Sequence, residues 1–503
     1  MKLRLALVLG ALLVLLRWQL LTRQPEPQPE PLPSALAARP GTGGGGTGAS
    51  SFPRVFIVPL PADFNRGLLS CDRPSGEGWF ARTHAGGGPR TAWFAGRADV
   101  ARFGLTSAAR PFGGGSRGGA RFSYTAAHPS FESPTEGEYD QDVYFHTMLE
   151  GYVRRVRDPR DADLFYVPVY YRFRLACHPN ASTHAGYTEL LDQLGGVVDG
   201  WMRRFPPKRG PNFFTVSGAI CSCFEVYRHL SCNPLHRRRD LDGRLRIVAW
   251  ETPVLVPPAA RHVVAPYVSQ LHGVLPWDER EQRELLVLLI AGKARNQCVY
   301  CGPCATWVPI APADKGRTCR RGCSNIRGAL IKQLRRAAAV AKDVALWTPL
   351  DNPSAVWFPQ GQRWWPPQSP QVYAHMLEAT FCVQPAGDSL TRKGFYESIL
   401  AGCIPVMFRE DGQYLDQLAF SSTIPYRDLW IVVPADLDGG TNVVALLRKV
   451  STDEIHKRRH AIKRWGRRLA FSASNRSEGG YNDLADPDAF ASTLREVWRQ
   501  SKV

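Results

Sequence analysis

Residues 379–408 read ATFCVQPAGDSLTRKGFYESILAGCIPVMF. The runs ATFCVQPA and CIPVMF have the composition of buried strands. Between them a polar turn opens on Gly387, carries Arg392 and Lys393, and leads into a helical stretch ending near Ala401-Gly402. Strand, turn, helix and strand make up the unit of a parallel α/β sheet. In such sheets ligands bind beyond the carboxyl ends of the strands, which is where Gly387, Asp388, Ser389 and Thr391 fall. The helix that follows offers free N–H groups and a partial positive charge, both suited to phosphate. Arg392 and Lys393 add two cations there, and Glu397 lies about one turn into the helix, within reach of sugar hydroxyls beside a diphosphate. The spacing thus fits a nucleotide diphosphate site. It equally fits solvated cations and a Glu397 that merely complements its helix dipole.

The same alternation extends outward. ELLVLLIAG (284–292), VALWTP (344–349) and LWIVVP (429–434) read as strands, and NIRGALIKQLRRAAAVAK (325–342) as a helix. Upstream, VFIVPL (55–60), DLFYVPVYY (163–171), NFFTV (212–216), RIVAW (246–250) and HVVAP (262–266) are strand-like. Helical spacing runs from Asp142 to Val156, with Val143, Phe145, Met148, Leu149 and Tyr152 on one broad face, and again from Thr188 to Phe205. Two successive alternating runs predict two doubly wound domains. A last helix is expected from Asp486-Pro487 to Gln500, with Phe490, Leu494, Val497 and Trp498 as its apolar stripe.

The ends and the totals narrow the function. The chain has 503 residues and a net charge of +18, from 63 Lys and Arg against 45 Asp and Glu, which favours anionic partners. After Met1-Lys2-Leu3-Arg4 comes an apolar run from Leu5 to Leu16, extended past Arg17 to Leu21. It is short for a span, but a thin membrane tolerates it, and no small-x-small cleavage site follows closely. Residues 1–23 are read as a signal anchor with the remainder lumenal, a cleaved signal being the alternative. Residues 24–52, Pro-rich and then Gly-rich, read as a stem. An oxidising compartment suits the twelve cysteines and the two sequons at Asn180 and Asn475, and it makes nucleic acid an improbable partner. Cys298, Cys301, Cys304, Cys319 and Cys323 are dense enough for a metal, though disulfides suit the lumen better. Cys403, in a buried run, reads as a core thiol.

The stretch 387–408 closely resembles the signature of the exostosin family of inverting glycosyltransferases, in its plant-type, xyloglucan-galactosyltransferase-like form. RVFIVPLPADFNRGLLSC (54–71), YDQDVYFHTMLEGYVRRVRDPRDADLFYVPVYY (139–171), VVAPY (263–267), ELLVLLIAGKAR (284–295) and NIRGALIKQL (325–334) resemble further blocks of that family, in order, from Arg54 to Leu469. The resemblance implies a GT-B architecture, two Rossmann-like domains facing a cleft: an acceptor-side domain at 53–278 and a nucleotide-sugar domain at 279–485. A Cys-rich insertion at 296–324 interrupts the second, and a C-terminal helix at 486–503 follows it. It implies transfer from a nucleotide sugar, usually a UDP-sugar, to a glycan or glycoprotein at the Golgi membrane. Arg392 and Lys393 would hold the diphosphate and Glu397 the ribose, with no cofactor beyond the donor and no bound metal. Inversion needs a general base; Asp142 and His146 are the candidates in the N-terminal block. Where many relatives carry His-Asp, this chain has Gly218-Ala219, and His262 stands where Asp is common.

Two alternatives stay open. A catalytically silent relative would bind glycans or scaffold other transferases. A metal-dependent GT-A transferase would use a pair such as Asp161/Asp163, Asp240/Asp242 or Asp436/Asp438. The basic run HKRRHAIKRWGRR (456–468) is expected as a helix with a solvated cationic side and an apolar face of Ile455, Ile462, Trp465 and Leu469.

Overall fold

The computed structural model describes residues 52–66, 141–170, 184–206, 212–217, 245–250, 262–269, 278–291, 297–298, 308–309, 326–347, 375–385, 391–408, 415, 417–435, 437, 440–472 and 482–502. The expected anchor, all but the end of the stem, both sequons, Gly218-Ala219, and most of the Cys-rich insertion lie outside them. Among the described residues no helix is long and apolar enough to cross a membrane.

The N-terminal half is a six-stranded sheet, ordered β2-β1-β3-β4-β5-β6 and parallel throughout. Its strands are β1 (Val55–Ile57), β2 (Arg155–Val156), β3 (Leu164–Tyr166), β4 (Phe213–Val216), β5 (Leu245–Ala249) and β6 (His262–Val264). Side chains alternate between its faces, as the pleat requires. Val55, Leu164, Tyr166, Phe214 and Val248 pack under helices α1 (Gln141–Glu150) and α7 (Ala489–Gln500). Phe56, Phe165, Phe213, Leu245 and Ile247 pack against Leu194, Val198 and Met202 of α2 (His184–Arg204) on the other side. Both faces are covered, which explains why these strands read as short apolar runs rather than as alternations.

The C-terminal half is a five-stranded parallel sheet, ordered β10-β7-β11-β12-β13. It comprises β7 (Leu285–Ile290), β10 (Val344–Trp347), β11 (Ala379–Val383), β12 (Ile404–Met407) and β13 (Ile431–Val432). Helices α3 (Ile326–Ala338), α4 (Lys393–Leu400), α5 (Val443–Leu447) and α6 (Thr452–Trp465) contribute to its single core. Strand order reverses beside β7, with β10 on one flank and β11 on the other. The crevice at the carboxyl ends of β7 and β11 is therefore the switch point of this sheet. Within the expected insertion, β8 (Gln297–Cys298) and β9 (Val308–Pro309) form an antiparallel ribbon.

Several expectations are corrected. The helix expected to reach Val156 stops at Glu150, because Arg155-Val156 joins β1 as an edge strand. Tyr152 stays buried below that turn and donates its hydroxyl to the Pro53 carbonyl. The strand expected to Tyr171 pairs only over Leu164–Tyr166. The last helix is capped not by Asp486 but by Asp488, whose carboxylate accepts from Ala491 N and Ser472 N, both at 2.9 Å. Nor does it stand apart: Phe490, Leu494 and Val497 lie in the core of the first sheet, with Phe490 against Phe145. Ile462 of α6 and Leu469 of the 3₁₀ turn that follows it (Gly466–Leu469) face inward as expected, with Ile455 and Trp465 packed beside them. The cationic side is not wholly solvated, since Arg459 is buried and donates to the Glu281 carbonyl at 2.7 Å.

The largest correction concerns Cys403, which is bonded to Cys382 rather than a thiol. The local sequence brings this about. Helix α4 ends in a Schellman motif: Cys403 N donates to Ser398 O, Gly402 N donates to Ile399 O, and Gly402 adopts φ 65°. A side chain would be strained at that φ, so glycine belongs there. The reversal carries the chain straight into β12 alongside β11, with Cα atoms of the two cysteines 5.7 Å apart.

Candidate functional site

Gly387, Asp388 and Ser389 lie outside the described residues. Thr391, Arg392, Lys393 and Glu397 are placed together at the start of α4. Arg392 is the N-cap residue, and it contributes no side-chain cap hydrogen bond. Its guanidinium reaches across the switch point instead, donating to Pro385 O beyond β11 and to Ile290 O at the end of β7, each at 3.2 Å. The cation is thus fixed in the crevice where this class of sheet holds ligands.

One turn on, Lys393 and Glu397 are both buried, with Nζ 3.8 Å from Oε1. Glu397, only 2% exposed, also accepts a 2.9 Å hydrogen bond from the Ser269 hydroxyl. Ser269 belongs to the segment that follows β6, so this bond joins the two halves across 128 residues of sequence. The same segment carries Tyr267, which stacks on Trp250 at 4.6 Å and lies 6.0 Å from Tyr396 of α4. Its Pro266 carbonyl accepts from Gln141 at the start of α1. The five residues 265–269 therefore touch both the helix of the candidate bases and the helix of the candidate donor site.

Gln384 completes the crevice. It follows β11 directly, and its side chain lies against Gly394 in the first turn of α4. A Cβ built on Gly394 would stand 3.3 Å from Gln384 Oε1. Gln384 is 6% exposed, and its Oε1 has no hydrogen-bond partner among the described residues.

Asp142 and His146 sit together on α1, both buried. Asp142 Oδ1 accepts from Val143 N at 2.9 Å. His146 Nδ1 is 2.8 Å from the Tyr170 hydroxyl, and its Nε2 is 3.9 Å from Glu150. Burial, assisted by the charges of Arg66 and Arg155, lowers the His146 pKa to about 3. Burial likewise raises the Tyr170 phenol above its ordinary range.

Of the aspartate pairs, Asp163 ties down the start of β1. It accepts from Arg54 N at 2.7 Å and from the Arg54 guanidinium at 3.2 Å. The other two pairs lie outside the described residues. Among the described residues no three His, Cys, Asp or Glu side chains converge as a metal site.

The sequence reading missed Ser269, Tyr267, Trp250 and Gln384. For Gln384 a signal existed, a polar residue closing an apolar strand just before the signature turn. Tyr267 closes the VVAPY block, but nothing in the sequence ties it, Trp250 or Ser269 to α4, because the contacts of Tyr267 and Ser269 with that helix cross between the halves.

A family model described as the Exostosin GT47 domain matches residues 49–447. Among curated proteins, the probable xyloglucan galactosyltransferase GT15 of Arabidopsis thaliana is 36% identical over 112 residues, 22% of this chain and 23% of that protein. Xyloglucan galactosyltransferase XLT2 of the same plant is 30% identical over 95 residues, 19% of this chain and 18% of that protein. The chain thus matches under a quarter of the length of these relatives. Among solved structures, WaaG, a glycosyltransferase involved in lipopolysaccharide biosynthesis, aligns at a TM-score of 0.25 and 11% identity, covering 55% of this chain and 78% of that one. That alignment is too loose for any property to be carried across.

Proposed function

Because the chain belongs to the Exostosin GT47 domain family, we propose that it is a glycosyltransferase, moving a sugar from a UDP-sugar to a glycan or glycoprotein hydroxyl with inversion. The observation that carries this reading is the position of Arg392, whose guanidinium bridges the ends of β7 and β11 at the switch point. A diphosphate bound there meets that cation, Lys393 and the N–H groups of α4. Preorganised positive charge of this kind is what a leaving diphosphate needs. The reading assigns no metal and no cofactor beyond the donor. Glu397, inside the same helix and facing the N-terminal half through Ser269, takes the ribose hydroxyls.

The acceptor hydroxyl must lose a proton as it attacks the anomeric carbon. Of the two candidate bases, His146 suits this task poorly. A pKa of about 3 leaves it neutral but weakly basic at neutral pH, and its Nδ1 is engaged with Tyr170. Asp142, on the same helix, is the better candidate. The apolar run within residues 1–23 supports placement as a single-pass type II protein of the Golgi membrane, catalytic part lumenal.

The test is UDP release by the full-length protein from a panel of UDP-sugars, without metal and with chelator present. One donor should turn over, and Glu397→Ala should lower its kcat/KM by about 100-fold, as expected when a charged partner of the ligand is removed. Absence of turnover with every donor, while glycan binding persists, would instead identify a silent glycan-binding relative.

A further inference from the structure

We propose that Gln384 is a donor-binding residue whose side-chain carbonyl accepts a hydrogen bond from a hydroxyl of the bound nucleotide sugar. The inference rests on the reading of α4 as the donor helix, and on three observations about Gln384. First, Gln384 Oε1 is buried and has no hydrogen-bond partner among the described residues. Buried polar groups in folded proteins are nearly always paired, and an orphan in a crevice is a mark of a missing ligand. Second, the orphan stands at the carboxyl end of β11, one residue before the Pro385 carbonyl that accepts from Arg392. It therefore lies at the switch point itself. Third, the amide packs closely against α4 at Gly394. A Cβ there would stand 3.3 Å from Oε1 and 3.9 Å from Nε2, so the amide would have to shift by a few tenths of an ångström.

Gly394 also lies three residues before Glu397, on a neighbouring part of the same helix face. The crevice thus presents two acceptors, one charged and one neutral, beside two cations. Cations suit the diphosphate, and a neutral carbonyl suits a hydroxyl. Both the ribose and the transferred sugar carry such hydroxyls, and the experiment separates them.

Binding of UDP, of 2′-deoxy- and 3′-deoxy-UDP, and of the UDP-sugar that turns over is measured by calorimetry. The proteins are full-length wild type, Gln384→Met, Gly394→Ala and Glu397→Ala. Met keeps the length of the side chain and removes the carbonyl. A tenfold loss corresponds to one buried neutral hydrogen bond. If a ribose hydroxyl is the partner, Gln384→Met weakens UDP about tenfold and leaves one deoxy analogue unchanged. If the partner is on the transferred sugar, UDP binding is unchanged and only the UDP-sugar weakens. Gly394→Ala should reproduce the same pattern without lowering the thermal midpoint, since Ala is the better helix former. A purely structural amide would instead lower the midpoint and leave every affinity alike. Unchanged affinities for all four ligands in Gln384→Met overturn the inference, even if Glu397→Ala weakens UDP. A wild-type protein that binds no UDP overturns the reading of α4 on which the inference stands.

Discussion

The disulfide between Cys382 and Cys403 closes a loop whose ends are 21 residues apart, and that loop contains the whole signature turn and α4. Its removal is therefore the sharpest probe of how the candidate site is held. For a loop of that length the chain-entropy relation gives about 3 kcal/mol of stabilisation, chiefly by restricting the unfolded chain. Cys382 is 2% exposed and Cys403 0%, so replacing both by Ala also empties core volume, worth roughly another 1 kcal/mol. Cys382→Ala/Cys403→Ala should thus lose about 3–4 kcal/mol in urea unfolding followed by tryptophan fluorescence, with Trp430 in the same core as reporter. The native bond should resist reduction, since neither sulfur meets solvent. Alkylation with mass analysis should find both cysteines unlabelled in native protein under dithiothreitol and labelled once urea is added. A double variant within about 1 kcal/mol of wild type would refute the loop argument. Ready labelling of the native protein would refute the burial.

Two further predictions concern pH, and they have opposite signs. His146 has its folded pKa lowered to about 3. Its stabilising contribution is full above the unfolded value of about 6.5 and is lost as pH falls, by about 2 kcal/mol between pH 7.5 and 5. His146→Phe, which keeps a ring between Tyr166 and Tyr170, should flatten that part of the stability–pH curve; an unchanged slope would show that the ring protonates freely in the fold. Asp488 has its folded pKa raised to about 6 by burial, against the pull of its two backbone donors. Its contribution is full below about pH 4 and fades as pH rises through 6, by roughly 1–2 kcal/mol between pH 5 and 7.5. Asp488→Asn should remove that slope and keep the bond to Ala491 N, while it loses both the bond from Ser472 N and the buried charge. A slope that survives in the variant would show that another group carries it.

Most of the fold was legible because its signals are local. Every strand of the two sheets except β2 was visible as a short apolar run, and α3 and α6 were visible from their periodicity. What misled the reading was context. Arg155-Val156 continues the periodicity of α1, yet an edge position beside β1 was open, and sheet pairing won over helical propensity. Asp486-Pro487 has the right chemistry for a helix start, but so has Asp488 one residue later, and only Asp488 faces Ser472 N to secure both its oxygens. Cys403 reads as a thiol in sequence because its partner lies on a neighbouring strand. The Schellman turn that brings them together was already written in Ala401-Gly402, though its consequence for Cys382 depends on the register of β11 against β12.

The candidate site was legible only on one side. Arg392, Lys393 and Glu397 stand in one continuous stretch, and helix spacing relates them without knowledge of the remainder. The other side comes from residues 265–269, whose sequence, APYVS, shows neither charge nor periodicity. Their importance arises from packing. Trp250, Tyr267 and Tyr396 form an apolar contact between the halves, and within it the Ser269–Glu397 bond is kept from water. A carboxylate so enclosed is oriented more firmly than a solvated one, since the low local dielectric strengthens each bond it keeps. The same segment accepts from Gln141, next to Asp142. Five residues and two hydrogen bonds thus connect α4 to the start of α1. The helix of the candidate bases and the helix of the candidate donor site, read from sequence as separate features, are joined through one short segment.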